Sequence, residues 1–247
     1  MNSSTTTPSY LILGAAGGIG SALARTLSSS GAQLFLVGRR EEPLAALAAE
    51  LSAHFAVADV TDFAEVDRVT DLAVAQFGRL HGVANCVGSL MLKPAHLTKA
   101  EEFQATIAAN LTTAFGTVRS AARVMTEGGS VVLCSSAAAR IGLANHEAIA
   151  AAKGGVLGLV LSAAATYGSR GLRVNAVAPG LVRTPLTARI TQSAPASEAS
   201  RSMHALGRLG EPEDVARLMA WLLGSESSWV TGQCYGIDGG LGTVRSK

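Results

Sequence analysis

Along the chain, short runs of apolar residues alternate with longer stretches in which apolar positions recur at helical spacing. The short runs predict strands at Tyr10–Leu13, Gln33–Val37, His54–Ala58, Gly82–Val87, Ser130–Ser135, Arg173–Ala176 and Gln233–Ile237. The longer stretches predict helices near Ile19–Ser29, Glu42–Leu51, Phe63–Phe77, Lys99–Met125, His146–Tyr167 and Glu211–Leu223. Strand and helix take turns, as in repeated βαβ units, and strands apolar on both faces belong in a parallel sheet covered by helices. The pattern predicts an α/β fold: a doubly wound parallel sheet of seven strands with helices on both faces. One stretch breaks it. Residues 185–209 are rich in Ala, Ser and Thr with weak periodicity, and a segment of that length in a compact domain reads as a lid over a substrate.

Composition narrows the function classes. The chain has 247 residues, enough for one large domain, and neither repeat nor linker divides residues 9–247. Residues 1–8 read as a loose polar tail without the basic and apolar parts of a signal peptide. A net charge of +2 with no Lys/Arg run argues against nucleic acid or an acidic membrane surface as partner. The apolar stretch Gly154–Ala165 reads as too short and Gly-rich to span a bilayer, so a soluble, cytoplasmic protein acting on a small molecule is expected. Cys86, Cys134 and Cys234 are scattered and read as buried reduced thiols; no metal site is expected. The small residues of His146–Tyr167, joined by Lys99–Met125, offer faces for a second copy, so a homodimer or homotetramer is expected.

The first strand runs into Gly14-Ala15-Ala16-Gly17-Gly18-Ile19-Gly20 and then a good helix. Glycines there let the backbone turn tightly onto a phosphate, and the helix N-terminus supplies free N–H groups. This strand–turn–helix context points to a Rossmann-type sheet holding a dinucleotide pyrophosphate at Gly14, Gly18, Ile19 and Gly20. The second strand ends in Arg39 and Arg40, where an NAD-selective protein presents a carboxylate to the ribose; a guanidinium there pairs with a 2′-phosphate and favours NADP(H). Asp59-Val60 follows the third strand, placed either at the adenine edge or as a helix cap.

These motifs resemble, in order, the short-chain dehydrogenase/reductase family in its common branch of about 250 residues. Asn85-Cys86-Val87-Gly88 stands for the family's Asn-Asn-Ala-Gly, followed by Asn110, Ser135-Ser136, Lys153, Arg173-Val174-Asn175, Pro179-Gly180-Leu181-Val182-Arg183-Thr184, Val230-Thr231-Gly232-Gln233 and Asp238-Gly239-Gly240. The resemblance implies that Asn85 and Gly88 support the central sheet and the adenosine side. Pro179, Gly180, Val182 and Thr184 would flank the nicotinamide carboxamide and pyrophosphate. Lys153 would hold the nicotinamide ribose, Asn110 would order a water beside it, and Ser136 would polarise the substrate oxygen.

The family's proton donor is a Tyr four residues before the Lys and thirteen after the Ser. That position is Ile149, which has no proton to give. Carbonyl reduction needs an acid as charge develops on oxygen. His146 lies seven residues before Lys153, within about 20° of it round a helix but about 10 Å along the axis, against about 6 Å for a residue four back. That spacing is similar to the Tyr-x6-Lys of the family's enoyl reductases; 2,4-dienoyl-CoA reductases also lack the usual Tyr. Equally, Asn145 could cap the helix with His146 exposed in its first turn. Two readings stand. One is an NADP(H)-dependent oxidoreductase of a small carbonyl, alcohol or conjugated enone whose acid is His146 or a water held by Ser136. The other is a catalytically inactive NADP(H)-binding homologue serving as a regulatory or structural subunit; a lyase or isomerase keeping the cofactor as structure is not excluded.

Overall fold

The apolar runs form one seven-stranded parallel sheet, in the order β3-β2-β1-β4-β5-β6-β7. The structure is a computed structural model describing residues 7–244, so most of the expected tail, residues 1–6, lies outside the described residues. The strands are β1 (Ser9–Leu13), β2 (Gln33–Gly38), β3 (His54–Val57), β4 (Gly82–Asn85), β5 (Gly129–Cys134), β6 (Leu172–Pro179) and β7 (Cys234–Ile237). The main helices are α1 (Gly18–Ser29), α2 (Glu41–Leu51), α3 (Phe63–Phe77), α4 (Ala100–Ile107), α5 (Thr113–Val124), α6 (Glu147–Tyr167), α7 (Ala188–Thr191), α8 (Ala194–Met203) and α9 (Pro212–Leu223).

Side chains alternate across each strand, so one run serves two cores. Leu11, Leu13, Val131, Leu133 and Val174 meet Val66 of α3, Val118 of α5 and Val156 and Val160 of α6 on one face. Ile12, Leu36, Val132 and Val177 meet Leu23 of α1, Leu44 of α2 and Met219 and Leu222 of α9 on the other. Every residue of β1 is buried, which explains why the first strand carries no polar alternation. Local signals end the helices: the Asp62 carboxylate accepts from the Ala64 N–H at the start of α3, and Gly78 at φ 74° closes its far end.

Two expectations need correction. The long helix predicted over Lys99–Met125 is broken: α4 and α5 are separated by a π-helical turn, Ala108–Thr112. Asn110 sits within it, and its Nδ2 donates to the Thr106 carbonyl and to Ser89 Oγ, both at 2.9 Å, so a side chain competes inside the helical ladder. Residues 185–209, read from sequence as a lid, contain α7 and α8. The apolar stretch within α6 also belongs to a longer helical run, Glu147–Arg170, whose most apolar 18-residue window has a mean hydropathy of 1.7, long and apolar enough to cross a membrane by length and composition. Here it packs on the sheet, with Ala152, Val156, Val160 and Ala163 in the core and Gly155 against Leu111.

Candidate functional site

The strand order reverses between β1 and β4, so their outgoing connections part and leave a crevice at the carboxyl ends of the strands. The glycine turn fills the β1 side. Gly14 takes φ +78°, its N–H and that of Ala15 both donate to the Val37 carbonyl, and Gly17 N–H donates back to Gly14. A Cβ on Gly14 would stand 2.9 Å from the backbone of Cys86, and one on Gly20 would run into the Gly14 carbonyl. A Cβ on Gly18 would stand 2.6 Å from Thr184 Cγ2, so the turn and the segment after β6 close on each other with no room for a side chain. Helix α1 begins here with no side-chain cap and no acidic residue in its first turn. Its first N–H groups and the helix dipole thus face the crevice without a competing anion, a cradle that fits a dinucleotide pyrophosphate with Ile19 beside it.

Beyond β2, Arg39 and Arg40 are exposed, and neither takes part in an ion pair among the described residues. Arg40 is the residue from which α2 starts. Asp59 does not cap α3, which is the work of Asp62; instead Asp59 Oδ1 accepts from the Thr61 N–H at 3.1 Å and Thr61 Oγ1 at 2.8 Å. The Thr61 backbone bond, then the Thr61 hydroxyl and the nearby Arg39 charge, hold this carboxylate below the ordinary Asp range. Val60 beside it is buried.

Lys153 of α6 is only 7% exposed, and its Nζ donates to the Cys134 carbonyl at 2.8 Å. Burial pushes its pKa down, with the facing thiols of Cys134 and Cys86 opposing the shift in part. Gly88 lies against the same ammonium, since a Cβ there would stand 3.6 Å from Lys153 Nζ and 3.0 Å from Asn110 Oδ1. Asn110 Oδ1 accepts from the Ser89 N–H, so the π turn, the loop after β4 and α6 converge here. Ser135 Oγ donates to the Lys153 carbonyl at 2.9 Å, whereas half-buried Ser136 accepts from the Ala138 N–H at 3.2 Å. Asn85 is turned inward: Nδ2 donates to Thr117 Oγ1 and Oδ1 accepts from the Val87 N–H, shaping the turn that presents Gly88.

Pro179 ends β6 paired with Ile237, Gly180 approaches His204 and Asp238 too closely for any Cβ, and buried Val182 bridges to Gly210. His204, within the stretch read as a lid, is turned inward. It is 3% exposed, its Nδ1 bonds the Ser200 carbonyl and its Nε2 accepts from the Leu181 N–H, tying α8 to the segment after β6. Arg183 pairs with Glu211.

Ile149 is 4% exposed. His146 is half-buried and is itself the residue from which α6 starts; Asn145 does not cap the helix but holds φ 64°. His146 Nδ1 bonds the Ala144 carbonyl at 2.7 Å, and among the described residues no hydrogen bond joins it to Ser136 or Lys153. The neighbouring Asn145 carbonyl accepts from the Lys93 N–H, bringing the loop after β4 to the mouth of α6. Sequence reasoning missed Ser89 as the partner of Asn110 and treated the three thiols as separate, although Cys86 and Cys134 share the crevice with Lys153.

Known proteins share this layout. A family model described as enoyl-(acyl carrier protein) reductase matches residues 14–242. Short-chain dehydrogenase/reductase aba4 of Botryotinia fuckeliana is 35% identical over 244 residues, spanning 93% of this chain and 94% of that protein. D-threitol dehydrogenase of Mycolicibacterium smegmatis is 34% identical, spanning 93% and 91%. A short-chain type dehydrogenase/reductase from Mycobacterium ulcerans superposes with a TM-score of 0.93 at 36% identity, over 97% of this chain and 91% of that one. Levodione reductase superposes at 0.90 with 32% identity, over 96% and 98%. With its glycine turn at the switch point of a seven-stranded parallel sheet, this chain belongs to the short-chain dehydrogenase/reductase family of oxidoreductases, which bind a nicotinamide cofactor.

Proposed function

We propose that the chain is an NADP(H)-dependent oxidoreductase of a small carbonyl or alcohol substrate, working with a proton donor other than the family's tyrosine. The observation that carries this is the buried Lys153 ammonium, held on the Cys134 carbonyl beside Gly88 and Asn110, with Ser136 two residues beyond that carbonyl. Among the described residues Lys153 has no carboxylate partner; a lysine desolvated this far costs stability, and a binding role accounts for it. Arg39 and Arg40, exposed and outside any ion pair among the described residues, support the 2′-phosphate form of the cofactor.

When bound, the cofactor supplies or accepts a hydride. Lys153 would bind its nicotinamide ribose, and Ser136 Oγ would orient and polarise the substrate oxygen. Ile149 stands where a tyrosine would donate, so the proton comes from His146 or from a water on Ser136. The Ala144 carbonyl occupies His146 Nδ1, which leaves Nε2 as the nitrogen able to serve. Residues 185–209 act as the lid, with His204 as its buried anchor. The activities named for the similar D-threitol dehydrogenase, cis-4-hydroxycyclohexanecarboxylate dehydrogenase and levodione reductase support a carbonyl or alcohol; the enoyl reductase description of the family model keeps a conjugated enone as the second substrate class. The apolar Ile149 favours one other reading, a homologue that binds NADP(H) without turnover. Self-association belongs to the proposal: Phe115 of α5 and Leu161 of α6 are exposed on helices that pack side by side, a face suited to a homodimer or homotetramer.

Single-turnover oxidation of bound NADPH with a panel of ketones and enones tests the reading. Turnover on any of them that falls at least tenfold in His146→Ala supports the histidine as donor. Equal rates in His146→Ala and the parent assign the proton to the Ser136 water, and tight binding with no turnover on the whole panel sinks the enzymatic reading.

A further inference from the structure

Two cysteines that are far apart in sequence are neighbours in the sheet. Strands β4 and β5 pair in register through Asn85 and Leu133, so the next residues, Cys86 and Cys134, face each other across the two strand ends. Both lie on the α1/α9 side, packed against that core with Cys134 Sγ 3.9 Å from Met219 Sδ, and their thiols are close enough to shift each other's titration. Neither is sealed in, since both residues are partly exposed. Their surroundings are the proposed cofactor crevice: Gly14 packs on the Cys86 backbone, and Lys153 Nζ holds the Cys134 carbonyl. Adjacent strands lie about 4.8 Å apart, inside the Cα separation of about 4.4–6.8 Å that a disulfide spans.

We propose that Cys86 and Cys134 form an oxidisable dithiol in the floor of the cofactor crevice, closing to an intramolecular disulfide with a peroxide as oxidant and thereby weakening cofactor binding. Cys134 is the attacking sulfur. The neighbouring Cys86 thiol and the Lys153 ammonium, seated on the Cys134 carbonyl at 2.8 Å, favour the Cys134 thiolate, whereas Cys134 and burial push the Cys86 thiol up. The Cys134 thiolate takes one peroxide oxygen, the O–O bond breaks, and the other oxygen leaves as water with the thiol proton. The Cys86 sulfur then attacks the resulting sulfenic sulfur, the S–O bond breaks, and hydroxide departs as water with the Cys86 proton. Two thiols lose two electrons and the peroxide becomes two waters. Closure ties together with a fixed link two strand ends that support the Gly14 turn on one side and the Lys153 ammonium on the other, and turns both sulfurs from their present packing, which is why it acts on cofactor binding. Cys234, on β7 and packed on the opposite face, takes no part.

The cofactor arm rests on the proposed function, whereas the chemical arm does not. The protein free of cofactor is treated with hydrogen peroxide and followed by intact mass, peptide mapping and thiol titration. The expected result is a loss of 2 Da, a Cys86–Cys134 linked peptide, and one titratable thiol of the three, all reversed by dithiothreitol. Cys234→Ser still closes; Cys86→Ser and Cys134→Ser do not. NADPH affinity, read by cofactor fluorescence, falls at least tenfold in the oxidised form, and saturating NADPH slows closure. Three thiols surviving the treatment, a linkage through Cys234, or unchanged NADPH affinity after closure would overturn the proposal. Absence of NADPH binding before oxidation would count against the proposed function instead, with mass and peptide mapping still deciding whether the disulfide forms.

Discussion

Replacing Ile149 by Tyr asks whether an acid is what this site lacks. Positions 149 and 153 are both buried on α6, about 6 Å apart along the axis and about 40° apart round it. A phenol starts near pKa 10, and an ammonium about 6 Å away in an effective dielectric of about 20 is worth about 3 kcal/mol, or about two pKa units. Burial at a site 4% exposed pushes the phenol the other way, so the new group would titrate between about pH 8 and 10 and be protonated at pH 7. A positioned general acid is worth about 10²–10⁴ in rate, so kcat for ketone reduction should rise by that order while NADPH affinity stays put. Fitting a ring into a site that is 4% exposed costs about 1–3 kcal/mol of stability, so thermal unfolding is measured on the same sample. The assay is kcat and kcat/KM for a ketone panel from pH 6 to 10. A new alkaline limb between about pH 8 and 10 in Ile149→Tyr is the signature. Turnover within threefold of the parent, in a variant that is folded and binds NADPH as the parent does, would refute the idea that position 149 is where the proton is missing.

Arg39→Ala should weaken NADPH binding by about tenfold or more with little change for NADH, since only the 2′-phosphate loses its charge-assisted partner; equal loss for both cofactors in a fluorescence titration would remove Arg39 from that role. Asp214 binds Arg208 and the Glu211 N–H at the start of α9, with the Arg208 bond foremost in holding its pKa at about 2 against an ordinary 3.8. A depressed acid contributes stability above its unfolded pKa and loses it as pH falls through its folded one. With Arg208 half exposed, screening leaves about 1 kcal/mol, so Asp214→Ala should unfold at lower urea at pH 7 and the gap should narrow between pH 4 and 2. Leu161, 62% exposed on α6, should drive assembly, and Leu161→Glu should shift light scattering towards the monomer; an unchanged mass would place the interface elsewhere.

How far these tests could be framed from sequence depends on the range of the interaction involved. The strands were legible because β1 and β5 are buried on both faces, and burial leaves an apolar run in sequence. The Gly14 turn was legible because a positive φ and a backbone approached by Cys86 leave glycine as the residue that fits. The break at Asn110 was not: apolar spacing continues through it, and the cause is a side chain bonding to Ser89, which belongs to another loop. His204 had the polarity of a surface residue until the Leu181 N–H and Ser200 carbonyl supplied partners for both ring nitrogens. The thiols show the limit most sharply. A search for close Cys spacing looks along the chain, whereas β4–β5 register sets Cys86 beside Cys134. Periodicity reports which face a residue takes, but not which residue stands opposite it. The two proposals for this chain divide along that line: Ile149 at the position the family resemblance gives to a tyrosine is read from sequence, whereas the Cys86–Cys134 pairing is read only from the fold.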